Sequence, residues 1–280
     1  GSTEESNPYT VPATGIIDFW VDQPQCWGVA QGDSTYRPLR TLQSPVVVSV
    51  LDYGATGDGT TDDRSAIQSA VDACPSGGTI LFPPGSYLVG SDVHMPRNLT
   101  SRLTLSGYGA TIVTGSTGYG FLDFVKVADH DCFQHYVIEG FDIDSSNLTH
   151  LHDVIGNRSL TKTYVNFHDI TIRDIYGYGG PTDNEACCAM FIWLAVGQVD
   201  TDVATQNYLT DITLDNVRLD GSDCLALIGG EMSGDTLTNG NIWMDNIVLR
   251  PRHHERGVEV GYPTKSFQVG GSASGGTCRF

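Results

Sequence analysis

Four short polar stretches gather side chains able to do chemistry: DSSNLTHLHD (144–153), YGYGGPTDNEA (176–186), DGSD (220–223) and RPRHHERG (250–257). Paired carboxylates can act as acid and base at a glycosidic bond, and their separation sets the stereochemical outcome. Tyrosine rings offer π-faces to the C–H faces of sugars, and guanidinium groups pair with carboxylates. Asp223 suits the acid role, with Asp220 or Glu255 as its partner. An elimination would instead need a cation to neutralise a uronate and a base to take its α-proton, roles that fit Arg256 and His254. The expected binding residues are Tyr176, Tyr178, Asp183, Glu185, His150, His152, Arg252 and His253. The competing reading is that these stretches are polar because loops face water.

These clusters need a scaffold that brings them to one edge, and a repeat supplies it. YVIEGFDI (136–143), ITIRDIYG (170–177), ITLDNVRL (212–219) and IWMDNIVL (242–249) share one pattern, with LTLSGYGATI (103–112) a looser copy. In the last three full copies, alternating apolar residues precede Asp174, Asn216 or Asn246. Alternation is a strand signal, and Asp or Asn after it marks a bend, because both tolerate left-handed backbone. Further strand-like runs follow: CCAMFIWLAV (187–196), DCLALIGG (223–230) and RGVEVG (256–261). A single unit cannot bury its apolar face, whereas stacked units share a core, so the pattern predicts a β-solenoid of about six coils. Ile170, Ile172, Ile212, Leu214, Ile242 and Met244 are expected inside, and Asp174, Asn216 and Asn246 in a stacked ladder. Arg173, Asp215 and Asp245 are expected in an outward column.

Ala66, Ile67, Ala70, Val71 and Cys74 recur at helical spacing. They predict a helix over 62–74, opened by Thr61 or Asp62 and capping the exposed end of the solenoid. Residues 1–45 form a separate region that includes Phe19, Trp20, Trp27 and Tyr36, which predicts an arm that packs on a surface. The solenoid is expected over 46–280.

Composition narrows the partners. With 33 acidic against 15 basic residues the formal charge is −18, which disfavours nucleic acid and anionic membrane through repulsion. No apolar run approaches the ~18 residues of a membrane span. The seven cysteines are an odd number and lack zinc-type spacing. Cys26 and Cys278 lie near the ends, and Cys132, Cys188 and Cys224 sit among apolar residues as expected buried thiols. No cofactor is expected: the aspartates are chemically compatible with Ca2+, but no calcium-loop or HExxH spacing occurs.

The stretch VLDYGATGDGTTDDRSAIQSAVDAC…GGTILFPPGSYLV resembles the N-terminal signature of the pectate-lyase-like superfamily, which includes polygalacturonases, polysaccharide lyases, alginate epimerases and phage tailspikes. The resemblance implies an all-β, single-stranded, right-handed parallel β-helix with an N-terminal capping α-helix. Inside the signature, Asp58, Asp62 and Asp63 are expected as turn and cap residues. SDCLALI (222–228) is similar to an aspartate-pair block of polygalacturonases, with Asp223 on the second aspartate but Ser222 in place of the first. The other blocks of that family have no clear match, so its mechanism does not transfer.

Two functional classes follow. One is a virion or cell-surface spike-like protein, extracellular and homotrimeric, that contacts glycans through loops on one edge and other virion proteins through residues 1–45. The other is a secreted polysaccharide hydrolase or lyase.

Overall fold

A computed structural model of the chain describes residues 26–28, 37–39, 46–116, 120–124, 131–148, 153–156, 165–179, 190–196, 207–220, 224–230, 236–239, 242–250, 268–270, 272–274 and 278–279. The chain divides into two compact units, Gly1–Ser44 and Pro45–Phe280. In the first, β1 (Cys26–Gly28) pairs antiparallel with β2 (Arg37–Leu39).

The second unit opens with β3 (Val47–Ser49), β4 (Asp58–Asp62), α1 (Arg64–Ala73), β5 (Thr79–Leu81), β6 (Gly85–Val89) and β7 (Val93–His94). It continues through β8 (Leu103–Thr114), β9 (Leu122–Asp123), β10 (Asp131–Asp144), β11 (Asp153–Gly156), β12 (Val165–Tyr178), β13 (Met190–Val196), β14 (Asn207–Asp220) and β15 (Cys224–Gly230). It closes with β16 (Thr236–Asn239), β17 (Ile242–Arg250), β18 (Gln268–Gly270), β19 (Ser272–Ser274) and β20 (Cys278–Arg279). One sheet runs β3-β5-β8-β10-β12-β14 and on to β16 and β17, and a second runs β7-β9-β11-β13-β15-β18. Pairing is parallel throughout both. Because the chain visits the two sheets in alternation, it winds as a right-handed parallel β-helix, the hand that strand twist imposes on parallel crossovers.

The repeat sets the register. Leu103, Tyr136, Ile170, Ile212 and Ile242 lie side by side on five successive strands. Ile170, Ile172, Ile212 and Leu214 are buried, and Met244 packs against the same core. Behind them, Phe82, Phe121 and Phe141 meet edge to face with centroids 5.0–6.0 Å apart. Ile155, Ile192 and Leu194 fill the core from the second sheet.

Each long strand bends where the backbone turns left-handed. Gly140 (φ 76°), Asp174 (φ 54°), Asn216 (φ 50°) and Asn246 (φ 51°) occupy one column. The polar members form the expected ladder: Asn246 Nδ2 donates to Asn216 Oδ1 at 2.8 Å, and Asn216 Nδ2 to Asp174 Oδ1 at 2.7 Å. Tyr108 extends it, its hydroxyl donating to Asp174 Oδ2 at 2.7 Å. That bond, with burial behind it, pushes the phenol up to about 12. At Gly140 glycine is required twice over, by its positive φ and by the Tyr108 ring, which lies 2.6 Å from where a Cβ would stand. Beside the ladder, Arg173, Asp215 and Asp245 form the outward column, and Arg173 Nε donates at 2.8 Å to Oε2 of Glu139, a buried residue in register with it.

The helix is shorter than the sequence pattern predicts. It spans Arg64–Ala73, and its N-cap is Asp63 rather than Thr61 or Asp62. The Asp63 side chain makes no cap bond. It turns back, almost fully buried, to accept from the Thr56 N–H (2.7 Å), the Thr56 hydroxyl (3.1 Å) and the Gly57 N–H (3.1 Å). Asp62 Oδ1 accepts from the Arg64 and Gly90 N–H groups. Asp58 caps its own turn, and the N–H groups of Thr61 and Thr60 hold its carboxyl far below the usual range. All three signature aspartates thus satisfy backbone donors. Ile67, Ala70 and Val71 are buried on the face of α1 that meets a 3₁₀ turn (Val50–Tyr53), and the helix also contacts β3 and β7, terminal strands of the two sheets. Among the described residues, Cys74 and Cys132 are buried free thiols, and no helix is long and apolar enough to cross a membrane.

Candidate functional site

Past the left-handed bend, the long strands continue with alternating side chains. Phe141, Ile175 and Val217 point inward, as do Ile143 and Leu219. The positions between them face out in two columns. One reads Thr111, Asp142, Tyr176, Arg218 and Val248. The other reads Val113, Asp144, Tyr178 and Asp220. Adjacent strands are ~4.8 Å apart, so each residue is within side-chain reach of its column neighbours.

At the centre of this grid the Tyr176 and Tyr178 rings lie 5.2 Å apart, tilted by 32°. Arg218, one strand along, sets its guanidinium 4.9 Å from the centre of the Tyr176 ring. Its Nε (2.9 Å) and Nη2 (2.7 Å) both donate to Asp220 Oδ2, which raises the hold of the guanidinium on its proton. On the other side, Asp144 Oδ1 accepts the Ser146 N–H at 2.9 Å, and Asp142 is exposed. Burial, then the negative charges of Asp144 and Asp142, push the Tyr178 phenol up, so it remains a neutral donor well above neutral pH. The chain leaves the strand at Gly179, whose φ of 85° and approach to the Ser146 backbone (2.5 Å from a Cβ) admit glycine alone. Ser145, buried below, donates through its N–H (2.9 Å) and hydroxyl (2.8 Å) to the Tyr178 carbonyl, fixing the second tyrosine from behind.

The sequence places Tyr176, Tyr178 and Asp220 in loops. The structure puts all three on strands, because the alternating pattern runs on for four residues beyond Asp174 and Asn216. It brings them together with Asp142, Asp144 and Arg218, which the sequence reading passed over. The signal for those three was present: Asp142 and Arg218 stand at the same repeat offset as Tyr176, and Asp144 at that of Tyr178. His150, His152, Asp183, Glu185, Arg252, His253 and the proposed catalytic residues Asp223, His254, Glu255 and Arg256 lie outside the described residues.

A second polar cluster sits at an earlier bend. His135 (φ 64°), Asp169 (φ 49°) and Asp211 (φ 54°) form a column of left-handed residues. Asp169 accepts from Arg102 Nη2 at 2.9 and 3.1 Å and bonds His135 Nδ1 at 2.8 Å. His168 bonds Thr210 Oγ1 at 2.6 Å. Burial pulls the Asp169 carboxyl up, but the His135 and Arg102 bonds outweigh it and hold it below its usual range. Among the described residues, no group of three or more His, Cys, Asp or Glu side chains converges as a metal-binding set.

The family model for rhamnogalacturonase A/epimerase, pectate lyase-like proteins matches residues 47–262, which take in β3 to β17 and the helix. The chain belongs to that family. Two curated members of the wider group align over part of it. The chain is 35% identical over 100 residues to an exo-poly-α-D-galacturonosidase of Dickeya chrysanthemi, covering 36% of this chain and 16% of that protein. It is 32% identical over 132 residues to rhamnogalacturonase A of Aspergillus niger, covering 42% of this chain and 29% of that protein. The matches thus span less than a third of either relative's length. Among solved structures it is similar to ORF18 of Geobacillus virus E2, at 15% identity and a TM-score of 0.42, covering 84% of this chain and 50% of that one.

Proposed function

We propose that this chain is a glycan-contacting module of an extracellular or virion surface, spike-like in construction, which engages polysaccharide through the outward face of β10, β12 and β14. The observation that carries the reading is the Tyr176–Tyr178 pair, flanked by Asp142 and Asp144 on one strand and by the Arg218–Asp220 ion pair on the next. Aromatic rings take the apolar faces of sugars, while carboxylates and guanidinium groups take their hydroxyls as donors and acceptors. The strands hold these groups at fixed spacing, so little ordering accompanies binding. In this reading the working form is a homotrimer, and residues 1–45 contact neighbouring subunits or other virion proteins. Mass in solution tests that part: a trimer agrees and a stable monomer does not.

A second reading, depolymerisation, is favoured by the family match and by relatives named as a galacturonosidase and a rhamnogalacturonase. It assigns Asp223 as acid with Asp220 or Glu255 as partner for hydrolysis, or Arg256 and His254 for elimination. Incubation with acidic and neutral polysaccharides separates the two readings. Reducing ends and the absorbance of unsaturated uronates are followed together, with Asp223→Asn as control. Binding without new chain ends supports the surface module. New ends that disappear in the variant establish the enzyme, and the absorbance tells lyase from hydrolase.

A further inference from the structure

We infer that the Tyr176–Tyr178 face takes an uncharged stretch of polysaccharide rather than a polyuronate; this rests on the glycan reading of that face. The argument comes from where the charges stand. Around the two tyrosines, the described outward side chains are Asp142, Asp144 and Asp220 against Arg218, with Arg250 at the next register position beyond Asp220. Among the described residues, Arg218 is the cation set against these rings, and its charge is already engaged. Both Nε and Nη2 are committed to Asp220 Oδ2, and the guanidinium lies over the Tyr176 ring. A uronate carboxylate could still reach the remaining N–H groups of Arg218, but it would meet a charge already paired by Asp220 and come to lie beside that aspartate. On the opposite side, an anionic sugar reaching Tyr178 meets Asp144 and the exposed Asp142.

Uncharged sugars face none of these costs. Their hydroxyls donate to the carboxylates of Asp142 and Asp144, which act only as acceptors, and accept from the tyrosine hydroxyls. Burial, and then the charges of Asp144 and Asp142, push the Tyr178 phenol up, so its hydroxyl stays a donor at and above neutral pH. The chain as a whole reinforces the selection. With a formal charge of −18, it repels a polymer carrying one negative charge per sugar before contact is made. Such repulsion acts within a Debye length and weakens as salt is added.

The test measures binding of the full chain to homogalacturonan as the free acid and as the fully methyl-esterified polymer. Alginate, a neutral arabinogalactan and a neutral β-glucan complete the set, and binding is read by affinity electrophoresis and surface-immobilised titration. The expected result is binding to at least one uncharged polymer, about tenfold or more tighter than to any charged one at about 0.02 M salt. The gap narrows at high salt and in Asp142→Asn/Asp144→Asn, and Tyr178→Ala loses binding while keeping its circular dichroism. Tighter binding of a charged polymer, lost in Tyr178→Ala, overturns this inference and leaves the face as a glycan site. Binding to none of the polymers, or binding that Tyr178→Ala does not change, overturns the glycan reading of the face, and the inference falls with it.

Discussion

The Arg218 guanidinium lies 4.9 Å over the Tyr176 ring, reaching across from the neighbouring strand. Each group positions the other: the ring receives the cation on its face, while Asp220 holds the guanidinium by two N–H bonds to one oxygen. A planar fork is needed for both contacts at once. Lysine, a compact point charge on a flexible stem, cannot make them together. Arg218→Lys is therefore expected to weaken glycan binding about threefold, the scale of an exposed cation–π contact, and Arg218→Ala somewhat more. The pair is exposed, so the melting temperature should hardly move. Titration against whichever polysaccharide binds, with a thermal melt in parallel, checks both halves.

The Asp174–Asn216–Asn246 ladder gives a stability prediction. Asn216 contributes one donated and one accepted side-chain bond and occupies a left-handed position at φ 50°. Asn216→Ala loses both bonds and adds the left-handed penalty of an alanine, about 2 kcal/mol in all. Asn216→Gly loses the bonds and keeps the backbone freedom, about 1 kcal/mol. Urea unfolding of the two variants separates the hydrogen bonds from the backbone conformation. Equal losses would show that the conformation costs nothing.

Asp63 is the most demanding residue of the signature. It is almost fully buried and accepts three hydrogen bonds from Thr56 and Gly57. Asp63→Ala takes three accepted bonds from the buried side of an otherwise exposed turn, at about 2 kcal/mol. Asp63→Asn still offers one acceptor oxygen and should lose less. Chemical denaturation of both variants, with hydrogen exchange at Thr56 and Gly57, tests the assignment of Asp63 as a structural anchor.

The acid limb of stability should depend on Asp169. Its folded carboxyl is held below the unfolded value by His135 and Arg102 against the opposing effect of burial. A depressed carboxylate stabilises the fold above the unfolded value of about 3.9. That contribution is lost as pH falls through the lower folded value. Asp169→Asn is expected to be less stable at neutral pH and to show a flatter decline below about pH 4. Melting temperatures of both proteins across the acid range give the comparison.

The coil array was legible because each repeat begins with the same alternation. Leu103, Tyr136, Ile170, Ile212 and Ile242 could be aligned by eye, and the strands pair in that register. The bend ladder was equally readable, since Asp and Asn at one offset have a physical reason to be there. The site was only half visible. Tyr176, Tyr178 and Asp220 stand out as chemical types, but polar, glycine-containing runs begin at Tyr176 and at Asp220, so the sequence pattern predicts loops from there on. Asp142 and Arg218 already stand inside the repeat at the offset of Tyr176, and carrying the alternation two residues on adds Asp144, Tyr178 and Asp220 to the same face. The N-cap was misplaced for a different reason: Asp62 and Asp63 are adjacent carboxylates, and composition alone does not tell which faces the Thr56–Gly57 turn.

The central claim is that the outward face of β10, β12 and β14 is where this protein meets polysaccharide. The most direct test compares wild type with Tyr176→Ala/Tyr178→Ala across a panel of acidic and neutral polysaccharides, with circular dichroism confirming that both fold. The account predicts that at least one polymer binds the wild type and that the double variant loses about 30-fold or more of that affinity, as removal of paired aromatic anchors does elsewhere. Unchanged affinity in the folded double variant would contradict it.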